Sequence, residues 1–217
     1  LKQIKQLLLT GICLFCIVPA LFAQDRKKPA PKPVKNIAGV SPQLQAFWLL
    51  ASQANATFIF PASFKEIKAP NNEDLSFDYA IALPGKEFEI WFQVRSQKEN
   101  WASYQQTLNN KNARQANPDS LYLGMGTAQA AAFTGETDFF TRTIPPSVLA
   151  KYNADVGKSY LLNLEDNAVT KHYKYALLIT LQKFHTGTIM AVCLSNEKGP
   201  EFFKNIDKAS NCIKFKP

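Results

Sequence analysis

Gly157-Lys158-Ser159 carries the closing residues of a phosphate-binding loop, and with it the chain's most direct hint of chemistry. Such a loop needs a glycine five positions earlier, so that backbone N–H groups can wrap the phosphates while a helix start adds its dipole. Tyr152 stands at that position, and the Ser159–Leu164 run reads as a strand where the motif requires a helix. The triplet is therefore expected to be a loop entering a strand. Gly124 and Gly126 are spaced like the opening of a dinucleotide fingerprint, but Gln129 occupies the third glycine's place and no strand precedes them. Their expected role is close packing of a helix against its neighbours.

The chain has only two histidines, His172 and His185. Placed at the two ends of one extended run, they would stand about 40 Å apart at ~3.3 Å per residue, too far to share a metal or a proton. His185 reads as a polar turn residue, and His172 with Glu165 and Asp166 as a solvated loop, since zinc usually takes three or more protein ligands. There is no Gly-x-Ser-x-Gly elbow, and neither Cys193 nor Cys212 has a base evident beside it. No catalytic residue, metal or cofactor is assigned, and the sequence argues against an enzyme. Carboxylate chemistry stays open because acids can meet only in the fold. Asp155, in Asn153-Ala154-Asp155, is the acid to inspect first, with turn formation as its alternative role. The remaining candidates are aromatic. Trp101 and Tyr104, three apart in polar sequence, would share one side of a helical turn, where such side chains anchor partners or stack on sugars. The binding candidates are Trp101, Tyr104, Trp91, Asn153 and Asp155, and Cys193 and Cys212 are a possible disulfide.

Several elements must position these residues. Ser41-Pro42 caps a helix carrying Leu44, Phe47, Trp48 and Ala51, and Thr57–Phe60 is a strand. Leu75, Phe77, Tyr79 and Ile81, then Phe88, Ile90, Phe92 and Val94, alternate on either side of Pro84-Gly85. That pattern predicts a β-hairpin with one buried face, and puts Trp91 on the other. Asn117-Pro118 opens a helix with the stripe Leu121, Met125, Ala128 and Ala132, closed by Gly135. A short helix follows at Pro145–Asn153. Strands are expected at Tyr160–Leu164, Tyr175–Gln182 and Thr188–Leu194, the middle one buried on both faces. A last helix holds Pro200, Phe202, Phe203 and Ile206, and Cys212–Lys216 a last strand.

The chain opens with Lys2 and Lys5 ahead of an apolar run from Leu7 to Ala23, the layout of a secretory signal peptide cleaved after Ala23. Residues 24–40, rich in proline and lysine, read as an extended basic tether, and 41–217 as one domain. The formal charge is +8, of which Lys2 and Lys5 carry two and residues 25–35 a net four, leaving two for residues 36–217. A nucleic-acid partner gains little support from a nearly neutral domain. The expectation is an exported periplasmic or secreted protein whose mature form has no membrane span and is a monomer.

This order of elements predicts an α/β (α+β) fold, an antiparallel sheet flanked by helices on both faces in an α/β/α sandwich. In "FPASFKEI", in the hairpin "FDYAIALPGKEFEIWFQVR" and in the closing hairpin, helix and "IKF" strand, residues 57–216 resemble the PsbP-like superfamily. The resemblance implies the fold and no binding residue, since that superfamily's exported bacterial members are of mostly unassigned role. The function expected is that of a non-enzymatic binding or accessory protein of the cell envelope, its partner a protein or envelope component. An exported hydrolase using carboxylates, or a carrier of glycans or small molecules, are the alternatives.

Overall fold

Ser41 and Pro42 begin the first helix as their side chains dictate. The Ser41 hydroxyl accepts the Leu44 N–H at 3.0 Å, and Pro42, which has no N–H to strand, fills the first turn of α1 (Pro42–Gln53). The computed structural model describes residues 39–72, 75–108 and 115–217. The predicted signal peptide and the tether up to residue 38 lie outside the described residues. The described residues belong to one compact unit.

After α1 come β1 (Ala56–Phe58), β2 (Lys65–Ile67), β3 (Tyr79–Ala82), β4 (Phe88–Ser96) and α2 (Lys98–Thr107). A 3-10 turn (Pro118–Ser120) then leads into α3 (Leu121–Thr134), β5 (Phe140–Thr143), α4 (Pro146–Tyr152) and β6 (Val156–Asn163). β7 (Tyr175–Lys183), β8 (Gly187–Ser195), α5 (Pro200–Asp207) and β9 (Ile213–Phe215) complete the order. Seven strands form one antiparallel sheet in the order β2-β3-β4-β8-β7-β6-β5. β1 and β9 pair with each other in a second, two-stranded sheet, with Thr57 opposite Lys214. The class is α+β, built from mixed helices and antiparallel sheets.

Two apolar clusters cover the large sheet, one on each face. On the first, Phe47 of α1 stacks on Tyr79 at 4.9 Å and meets Phe58 and Phe92. On the second, Phe133 of α3 packs against Trp91 and Phe77 above Tyr160, Leu178 and Val192. Each such side chain, once buried, contributes roughly 1.5–3 kcal/mol. Among the described residues no helix is long and apolar enough to cross a membrane.

The structure departs from sequence periodicity at four places. Leu75 and Phe77 do not share a face with Tyr79 and Ile81; they belong to the Trp91 cluster on the other side. Asp78 resets the alternation, its carboxylate accepting the Val94 N–H at 2.7 Å and pairing with Arg95 while its own N–H donates to Phe92. Gly157-Lys158-Ser159 lies inside β6 and not in a loop before it. A Cβ on Gly157 would come within 2.9 Å of the Thr180 carbonyl oxygen on β7, so the glycine serves strand approach. The polar stretch after β4 folds as α2, and β2 and β5 were not legible as strands.

The fourth departure is the α3 stripe. The helix buries Gly126, Ala130 and Phe133, and exposes Ala128 and Ala132. A Cβ on Gly126 would stand 2.7 Å from the ring of Tyr160, which is itself buried and donates its hydroxyl to the Leu123 carbonyl. Among the described residues nothing lies within 4 Å of a Cβ on Gly124. Gly126→Ala is therefore expected to destabilise by about 1–3 kcal/mol through overpacking, whereas Gly124→Ala should stabilise by roughly 0.5–1 kcal/mol by removing a helical glycine. Urea unfolding of the two variants checks this; equal effects would contradict the packing.

Candidate functional site

The four-residue turn between β7 and β8 gathers most of the sequence candidates at one end of the sheet. Thr186 N–H closes it on the Lys183 carbonyl at 3.1 Å, and His185 takes φ 60° at the second central position. That position normally selects glycine, because a β-carbon is strained there. His185 is held in it from two sides. Asp119 accepts the His185 N–H at 2.8 Å through Oδ1, and its Oδ2 lies 3.2 Å from His185 Nε2. The indole of Trp101 stacks on the imidazole with ring centroids 3.7 Å apart and planes inclined by 19°.

Each brace has a local cause. Asn117 caps the 3-10 turn by accepting the Asp119 N–H at 2.9 Å, which fixes the Asp119 carboxylate against the turn. Asp119 Oδ1 also accepts Gln182 Nε2 at 3.1 Å, and buried Gln182 in turn accepts the Thr188 hydroxyl. Helix α2 is tied down at its start, where the buried Gln97 donates its N–H to the Thr186 carbonyl at 2.9 Å. One helical turn then carries Trp101 and Tyr104 to the same side, with centroids 5.4 Å apart, as their spacing predicts. Both rings are half-buried, and the neighbouring Phe184 is exposed.

On the turn's other flank, Asp155 Oδ2 accepts the Phe184 N–H at 2.7 Å and Oδ1 lies 3.4 Å from Lys183 Nζ. Asn153 ends α4 at φ 49°, its side chain donating to the Lys216 carbonyl and accepting from Lys183. Asp155 is thus a turn brace paired with a lysine, not half of an acid pair. Trp101, Tyr104, Asn153 and Asp155 all sit around this turn, the first two as half-buried rings and the last two with side chains engaged in hydrogen bonds that hold it. Trp91 does not belong with them: it is 0 % exposed, lies under Phe133, and donates Nε1–H to Glu89 at 2.7 Å. It is removed from the binding candidates because α3 covers its face of the sheet.

His185, Asp119 and Phe184 are the residues that sequence reasoning missed. The one available signal was a Lys-Phe-His-Thr-Gly turn without glycine at its centre. His172 pairs with Asp166 at 2.6 Å on exposed loop residues at the opposite end of β7. Among the described residues no three His, Cys, Asp or Glu side chains cluster as a metal site.

Cys193 and Cys212 are free and buried, and both line an apolar cavity of about 40 Å³ with Tyr152, Ile179 and Leu181. That is room for a few water-sized atoms. Burial pushes the Cys212 thiol up to about 12 and raises Cys193 as well, with Cys212 adding to the latter. Neither thiol is poised as a nucleophile, since only the thiolate attacks.

Compared with known proteins, the chain matches no family model, no curated protein and no solved structure.

Proposed function

We propose that this chain is an exported, non-enzymatic accessory protein of the cell envelope that binds a protein or envelope component through the surface formed by Trp101, Tyr104, His185 and Phe184. The observation that carries the reading is the Trp101–His185 stack on a strained turn. Non-glycine residues held at positive φ cost of order 1 kcal/mol and persist where the surroundings over-determine them, most often at functional sites. Here the surroundings are Asp119, Gln97 and Trp101, and what they hold up is a row of half-exposed aromatics. Such rings supply large contact area at low entropic cost.

The hydrolase alternative loses support because both Asp155 oxygens are engaged by the Phe184 N–H and Lys183. The apolar cavity beside Cys193 and Cys212, about 40 Å³, gives an internal carrier little support, although a glycan could still stack on the same outer rings. The mixed helices and antiparallel sheets are compatible with the PsbP-like resemblance, which rests on the sequence pattern, and the apolar run 7–23 is the ground for export.

A photo-crosslinking residue placed in cells at Gln105, exposed on α2 beside Tyr104, is expected to capture a discrete adduct. The same residue at Lys214, exposed on β9, is expected to capture none. Equal labelling from both positions would sink the assignment of the surface.

A further inference from the structure

The two edges of the seven-stranded sheet are treated differently. At the β2 edge, Gln43 of α1 stands in for a further strand: its amide donates to the Ile67 carbonyl at 2.8 Å and accepts the Ala69 N–H at 3.3 Å. The β5 edge carries no such cap among the described residues. Ile144 N–H bonds the Gly157 carbonyl, so in the β5–β6 ladder Phe140, Arg142 and Ile144 turn their backbone groups inward. Thr141 and Thr143 therefore present N–H and C=O outward, an open template for another strand.

The side chains flanking that edge are unusual for a blunted one. Phe140 is 57 % exposed and Phe203 of α5 is 49 % exposed. They border a groove of about 320 Å³ floored by Leu161 and Leu177, with Arg142 and Ser159 at its side. Arg142 makes no ion pair among the described residues, and its guanidinium lies 5.1 Å over the Phe140 ring of its own strand.

We propose that a second copy of this chain pairs with β5, antiparallel about a two-fold axis at Thr141, joining the two sheets edge to edge. Among axes at Thr141, Arg142 and Thr143, register and side-chain chemistry favour the first. Outward-facing residues must lie opposite outward-facing residues for the ladder to bond. With the axis at Arg142 the two guanidinium groups would stand directly opposite, which is destabilising. With the axis at Thr143, Thr141 would face Pro145, which has no N–H. With the axis at Thr141, the two Thr141 residues exchange both backbone bonds, and each Phe140 lies opposite the other copy's Arg142 in a close, non-hydrogen-bonded pair. Each Arg142 guanidinium then stands beside the other copy's Phe140 ring, a cation–π pairing made twice by the two-fold axis, and each Phe140 gains cover at the mouth of the groove. The Pro145-Pro146 step limits the ladder to this short segment, so the dimer is weak and concentration-dependent.

Sedimentation velocity of the full chain, from about 1 µM to about 1 mM, should show mass rising from monomer toward dimer, the behaviour of a micromolar-to-millimolar equilibrium. Thr141→Pro removes an N–H that no bond among the described residues uses. It should abolish the dimer while leaving the thermal midpoint within a few degrees of wild type. Arg142→Glu, on an exposed side chain, should weaken dimerisation at least tenfold without touching the backbone. A wild type that stays monomeric throughout, or a dimer that survives both substitutions, overturns the proposal.

Discussion

Trp91→Ala is expected to destabilise the fold by about 3–5 kcal/mol, the range for removing a large buried aromatic. The side chain is entirely enclosed, meeting Phe77 at 5.4 Å and Phe133 at 6.2 Å, with Lys171 over its ring. Its loss opens a cavity where α3 rests on the sheet, and deprives Glu89 of the indole N–H it accepts. Glu89 keeps Lys171 at 2.8 Å, so the charge is not orphaned and the cavity dominates the cost. Trp101→Ala, by contrast, trims a half-buried ring at the surface and should cost about 1 kcal/mol, near the centre of the single-substitution range. Urea unfolding followed by circular dichroism separates the two. A Trp91→Ala loss no larger than that of Trp101→Ala would mean that α3 does not cover the sheet as described.

Stability is also expected to fall steeply above pH 9. Burial raises the thiols of Cys193 and Cys212 from an ordinary value near 9, and it raises the phenols of Tyr79, Tyr173 and Tyr152 from 10. For Tyr79 the hydroxyl also donates to Glu66 at 2.7 Å, which further holds the proton. In each case the folded protein keeps a proton that the unfolded chain has released. The contribution is present in full below the unfolded value and is lost as pH rises toward the folded one. Each group then removes up to about 1.4 kcal/mol per pH unit, so the two thiols alone take roughly 4–5 kcal/mol between pH 9 and 11. That is comparable with the whole stability of many domains. The free energy of urea unfolding measured at pH 7, 9 and 10.5 should decline chiefly over the second interval, and Cys193→Ala/Cys212→Ala should flatten the decline. A flat profile through pH 10.5 would contradict the burial of these groups.

What sequence revealed and what it hid divides along physical lines. The start of α1 was legible because capping is local: Ser41 and Pro42 act within one turn. β7 and β8 were legible because strands covered on both faces need apolar residues at nearly every position. β5 was not, since Phe140 and Arg142 are exposed and no alternation marks the strand. α2 buries no residue and carries no apolar stripe, so its helix could not be read from periodicity. The phase change at Asp78 depends on Val94 and Arg95 across the hairpin, beyond the reach of a local pattern.

The site shows the same division. Trp101 and Tyr104 could be paired in advance because three residues of helix join them. His185 could not be added, because its stacking on Trp101 and its bond to Asp119 bring together three separate segments of the chain. Asp155 and Asn153 reached the right turn for the role that their residue types favour, hydrogen bonding to backbone. The two cysteines share one cavity, a proximity that no spacing in the sequence announces.

The most direct test of the account is mild in-cell crosslinking of tagged protein, followed by mass spectrometry of what co-purifies from the envelope fraction. Wild type is compared with Trp101→Ala/Tyr104→Ala and with His185→Gly, which keeps the backbone of the turn at ease while removing the stacked ring. The account predicts a reproducible species with wild type that is lost from both variants, while their unfolding transitions remain cooperative. Recovery of the same species from all three proteins, or none above background from wild type, would contradict it.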